Sequence, residues 1–112
     1  MHSIAWYRLF KTSEEAEAQT PIGSLRAIKA GTLRLCLVRT AKDFFVLQDA
    51  CPHRMASLSE GHLNDFEEVV CPLHHYRFQV ASGRVAGDVA CADAQTYPIR
   101  IDHRGFCVGI PE

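Results

Sequence analysis

The sequence predicts an all-β fold, an antiparallel sandwich or small barrel. Three observations point there. Apolar residues recur with a period of two along most segments, turn residues separate those segments at short intervals, and only one stretch carries a helical signature. Residues 4–10 open the chain as a strand. At residues 12–19, Thr12 and Glu15 have the spacing of a capping box and Pro21 follows the end, which predicts a short helix. Residues 25–29 and 33–38 form a hairpin about Ala30-Gly31; in its second strand Leu33, Leu35 and Leu37 alternate with Arg34, Cys36 and Val38, which predicts one face on the core and one toward water. Short strands follow at 44–47, 68–71 and 77–80, the last stopped by Ser82-Gly83. A closing hairpin pairs 97–102 with 106–110 across a turn at His103-Arg104-Gly105.

With 112 residues, 47% of them hydrophobic and 22% charged, the chain reads as one globular domain over 1–112, with enough surface to bury for a single core. Twelve Lys and Arg against thirteen Asp and Glu give a net charge of -1 and no basic stripe. A nucleic-acid partner is not expected, because phosphate binding needs a positive field. No apolar run approaches the ~20 residues that cross a bilayer, so no membrane association is expected. Residues 1–10 carry neither a basic leader nor a long apolar segment, and the expected location is cytoplasmic. In that compartment five cysteines, Cys36, Cys51, Cys71, Cys91 and Cys107, suggest metal binding or free thiols rather than a disulfide framework.

Chemistry concentrates in two proline-stiffened segments, Cys51-Pro52-His53 and, after seventeen intervening residues, Cys71-Pro72-Leu73-His74. Each offers one thiolate and one imidazole. Two Cys and two His can make a tetrahedral zinc site, although zinc fingers usually pair Cys with Cys and His with His. A mixed pair on each of two loops suits a two-iron cluster with thiolates on one iron and imidazoles on the other.

The C-x-H and C-x-x-H pattern resembles that of Rieske-type [2Fe-2S] proteins, in particular the ferredoxin components of multicomponent ring-hydroxylating dioxygenases. The similarity extends to Leu58-Ser59-Glu60-Gly61-His62-Leu63, to Arg77-Phe78 with Ser82-Gly83, and to Tyr97-Pro98-Ile99, so it spans roughly residues 46–108. It implies a Rieske-like sandwich with a cluster-binding subdomain of two loops at about 46–80. It further implies one [2Fe-2S] cluster per chain, with Cys51 and Cys71 on one iron and His53 and His74 on the other, the histidines at the solvent-facing tip. No catalytic residue is implied: the resemblance is to a soluble, monomeric one-electron carrier. Such a carrier takes electrons from an NAD(P)H-dependent flavin reductase and gives them to a terminal oxygenase through transient contacts. Rieske oxygenases add a second domain holding a mononuclear iron, for which 112 residues leave no room. Two other readings are the small subunit of an assimilatory nitrite reductase, a similar fold whose ligands are commonly missing, and a structural zinc-binding protein.

High-potential relatives carry a serine two residues after the last histidine and two cysteines that bridge the cluster loops. Here those places hold Tyr76, Ala56 and Leu73, which places the expected potential in the lower part of the Rieske range of about -150 to +300 mV. His75 stands where the family commonly has Gly, and the covering loop at 87–91 lacks the usual proline. Cys36, Cys91 and Cys107 lack metal spacing and read as structural. His2, His62 and His103 read as solvated, His75 as a rim residue beside the cluster, and Met55 and Leu73 as apolar cover or loop packing. Between Met55 and Val70 the charges are Glu60, Asp65, Glu67 and Glu68, with no Lys or Arg. That run reads as a solvated face able to steer a basic partner.

Overall fold

Branched and aromatic residues at alternate positions pair the chain into antiparallel sheets. The computed structural model describes residues 3–112, and His2 lies outside them. Along the described chain come β1 (Ile4–Phe10), α1 (Ser13–Gln19), β2 (Leu25–Ala30), β3 (Leu33–Arg39) and β4 (Phe44–Gln48). There follow β5 (His62–Leu63), β6 (Glu68–Val70), β7 (Arg77–Gln79), β8 (Thr96–Tyr97), β9 (Ile99–Asp102) and β10 (Gly105–Pro111). They build three sheets, ordered β1-β10-β9, β2-β3-β4-β8 and β5-β6-β7. The all-β expectation holds, as does the helix, where the Thr12 hydroxyl accepts the Glu15 N–H at 3.0 Å and Ala16 is fully buried. Among the described residues no helix is long and apolar enough to cross a membrane.

β3 departs from the half-solvated strand that its alternation predicts. Leu35, Cys36, Leu37 and Val38 are all fully buried. Leu35 and Leu37 join Phe10, Ala16, Val46, Phe106 and Val108 in one core, while Cys36 and Val38 join Cys51, Leu58, Val69, Cys71, Phe78 and Val80 in another. The sheet is thus a wall with a core on each side. Its first core fills the sandwich, where Phe106 meets Phe10 and Phe44 edge-on at 5.6 and 5.0 Å. The second holds the two candidate ligand cysteines against the small β5-β6-β7 sheet.

The expected strand over 97–102 is two strands. Pro98 has no N–H to give a ladder, and at that residue the chain changes sheets: Thr96 and Tyr97 pair with Leu47 and Val46, whereas Ile99 onward pairs with β10. The Pro98 carbonyl still accepts the Gly109 N–H at 2.9 Å, so the exchange happens without a loop. A 3-10 turn at Leu58–Glu60 and the two-residue β5 are too short for periodicity to reveal. Gly61 links them for a steric reason, since a Cβ there would collide with the Val70 carbonyl, immediately before Cys71.

Candidate metal centre

The two ligand loops share a closure. In the first, the Cys51 N–H donates to the Ala56 carbonyl at 2.7 Å; in the second, the Cys71 N–H donates to the Tyr76 carbonyl at 2.8 Å. Each cysteine therefore begins a tight loop that ends five residues on. The first stands on β4 through a bridge between Ala50 and Ser57, and the second joins β6 to β7. Met55 lies at φ 62°, and His74 and His75 lie consecutively at φ 67° and 59°. The left-handed backbone at His75 accounts for the family's glycine at that place, since only glycine adopts it without a Cβ penalty.

This geometry gathers all four predicted donors. Cys51 and Cys71 are fully buried and share one core. His53 and His74 face each other at the surface with ring centroids 5.4 Å apart and planes 72° apart. The thiols thus lie inside and the imidazoles nearer the surface, His53 half-buried and His74 exposed. Among the described residues no three His, Cys, Asp or Glu side chains converge on one point.

Two further observations fit a metal cluster. The Nδ1 atom of His53 is buried and meets no hydrogen-bond partner among the described residues, a costly arrangement unless a ligand completes it. Burial, with the charges of Arg54 and His74, lowers the His53 pKa and favours the neutral imidazole that binds metal. Burial pushes the Cys71 thiol up to about 11, so metal binding there would release a proton. His53 also stacks on Tyr76, with centroids 4.1 Å apart at 24°. Sequence reasoning marked Tyr76 only as standing where high-potential relatives carry serine; its ring instead stacks on the His53 imidazole.

The remaining candidates separate cleanly. Cys36 is buried on β3, where burial and the Asp49 charge push its thiol up to about 12, and Cys107 is buried on β10. Cys91, read as structural, is half-buried in the covering loop and packs against the core that holds Cys51 and Cys71; burial, with the charges of Cys51 and Asp93, raises its pKa. His62, His75 and His103 are exposed. Met55 and Leu73 are 74% and 42% exposed, so both present apolar surface at the tip rather than packing within the loops.

Glu68 corrects the picture of one solvated acidic run. It is only 6% exposed, and its Oε1 accepts from Asn64 Nδ2 at 2.8 Å and Arg77 Nη1 at 3.0 Å. Glu60, Asp65 and Glu67 remain exposed. A second buried carboxylate, Asp49, was not marked from sequence. Its Oδ1 accepts the Ser59 N–H at 2.8 Å and its Oδ2 the Arg34 Nε–H at 2.7 Å.

Comparison with known proteins agrees with this architecture. The Rieske [2Fe-2S] domain family matches residues 5–98. The biphenyl dioxygenase ferredoxin subunit of Pseudomonas sp. (strain KKS102) is 33% identical over 90 residues, which is 80% of this chain and 83% of that protein. The chain is also similar to the structure of a complex of reduced oxygenase and oxidized ferredoxin in carbazole 1,9a-dioxygenase, at 25% identity and a TM-score of 0.75, covering 92% of this chain and 91% of that one. A putative NADH-dependent nitrite reductase small subunit from Mycobacterium tuberculosis shares the fold, with a TM-score of 0.78 and 96% of both chains covered, at 16% identity. The cofactor is a Rieske-type cluster, and the chain belongs to the Rieske [2Fe-2S] domain family.

Proposed function

We propose that the chain is a one-electron carrier in which Cys51 and Cys71 hold one iron and His53 and His74 the other. The observation that carries this reading is the pairing of buried thiols with a half-buried and an exposed imidazole. Two neutral imidazoles in place of two thiolates leave the oxidised centre formally neutral, and when bound the cluster supplies one reversible electron. The residues of the chain do the rest. The two loops hold the donors in advance, Tyr76 fixes the His53 ring, and the exposed His74 edge gives a partner a short path to the centre. Relatives that are ferredoxin subunits of dioxygenase systems, and the oxygenase complex of one of them, support delivery to a terminal oxygenase. An NAD(P)H-dependent flavin reductase is the proposed donor, and a cytoplasmic monomer the form that releases both partners. Anaerobically isolated protein is expected to be brown, to contain labile sulfide and to show a rhombic EPR signal on reduction. Colourless protein without iron after reconstitution would sink the reading.

Each ligand imidazole keeps one free ring N–H, and ferric iron makes that proton easier to lose. Reduction raises those pKa values, so protons are taken up with the electron at high pH. The midpoint is expected to be flat near neutrality and to fall above it, by ~59 mV per pH unit where one proton follows one electron. A midpoint level up to strongly basic pH would remove His53 and His74 as a ligand pair.

Steering is assigned to the exposed acids alone. Charge reversal at Asp65 and Glu67 is expected to slow reduction by the reductase at low salt, with the difference vanishing at high salt. Stopped-flow rates that ignore both substitutions would end that assignment.

A further inference from the structure

Each ligand loop rests on a carboxylate that is buried and paired with an arginine. Asp49, two residues before Cys51, has a side chain 2% exposed and meets Arg34 at 2.7 Å. Glu68, three residues before Cys71, has a side chain 8% exposed and meets Arg77 at 3.0 Å. The arginines come from neighbouring strands and keep their heads in water, at 53% and 46% exposed.

Both carboxylates also tie the loop bases. Besides the Ser59 N–H, Asp49 accepts the Leu58 N–H on its backbone carbonyl at 2.7 Å, which draws together the two ends of the loop that carries His53. Glu68 joins the turn at Asn64 to Arg77, the first residue after the second loop, and the Arg77 guanidinium lies 3.7 Å from where a Gly87 Cβ would stand in the covering loop.

Stability alone does not account for such pairs, because burying a carboxylate carries a desolvation penalty that pairing with a half-exposed arginine need not repay. Their positions suggest an electrical role. An added electron makes the centre more negative, so a carboxylate at the base of a ligand loop opposes reduction and an arginine favours it. Resting on the cluster reading above, we propose that Asp49–Arg34 and Glu68–Arg77 are positioning residues that fix the two ligand loops and set the reduction potential through compensated charge.

The test is a redox titration of the holoprotein, followed by visible circular dichroism, with substitutions of opposite sign. Arg34→Gln leaves a carboxylate uncompensated, and at the wild-type midpoint the ratio of oxidised to reduced protein is expected to rise severalfold. Asp49→Asn keeps the acceptor for Ser59 and removes the charge, so the ratio is expected to fall severalfold, and the double substitution is expected to return toward wild type. Arg77→Gln and Glu68→Gln are expected to repeat the pattern. Lys42→Gln, an exposed charge at the opposite end of β4, is the control and is expected to shift nothing. If Asp49→Asn fails to fold, the surface substitutions Arg34→Gln and Arg77→Gln still decide the matter by their common sign. Unshifted potentials, or shifts of one sign for arginine and carboxylate alike, would overturn the proposal while leaving the carrier reading intact. A wild-type chain that takes up no cluster would overturn both.

Discussion

His74→Ala is expected to abolish the rhombic EPR signal and the Rieske visible spectrum while leaving the far-ultraviolet spectrum of the sandwich unchanged. The loss is expected to be complete rather than graded, because in the proposed donor set each iron takes only two donors from the chain and His74 supplies one of them. Folding is spared because His74 is exposed and belongs to neither buried core. His75 stands next to it with its own left-handed backbone, so the local trace does not depend on the imidazole. EPR of the reduced variant, beside its circular dichroism, checks both halves. A retained rhombic signal would mean that the donor set is wrong.

Phe78→Ala is expected to be the most damaging single truncation outside the ligands. Phe78 is fully buried on β7 and sits in the same core as Cys51, Cys71, Leu58 and Val69. Emptying such a site costs ~3–5 kcal/mol, against a total stability of ~5–15 kcal/mol for a domain. The cavity opens in the core that holds both cysteines, so thermal unfolding and cluster release are expected to shift down together. Phe66→Ala makes the comparison. That ring is 79% exposed on the β5–β6 turn, and its loss is expected to change stability by no more than ~0.5 kcal/mol. Equal losses for the two phenylalanines would contradict the core assignment.

The four candidate donors were legible in the sequence because metal chemistry fixes residue type and spacing at once. The hairpins were legible for a similar reason: register forces alternation, and Ala30-Gly31 and His103-Arg104-Gly105 mark the turns. Burial on both faces of β3 was not, since Cys36 and Val38 opposite three leucines look the same whether a second core or solvent covers them. Nor was the change of sheet at Pro98, which depends on where β4 and β10 lie in space. The fate of Glu68 was hidden as well. Its neighbours in sequence are acids that stay in water, and its arginine is nine residues away across a strand pair. Charge patterns reveal composition locally, while burial is decided by partners that only the fold supplies.

The exchange of sheets at Pro98 has a mechanical consequence. Because Tyr97 is hydrogen-bonded into one layer and Ile99 into the other, neither layer can be peeled off alone without rupturing ladder bonds in its neighbour. The seam makes the two layers a single cooperative body, and β4, which carries the first ligand loop, is stitched directly to it.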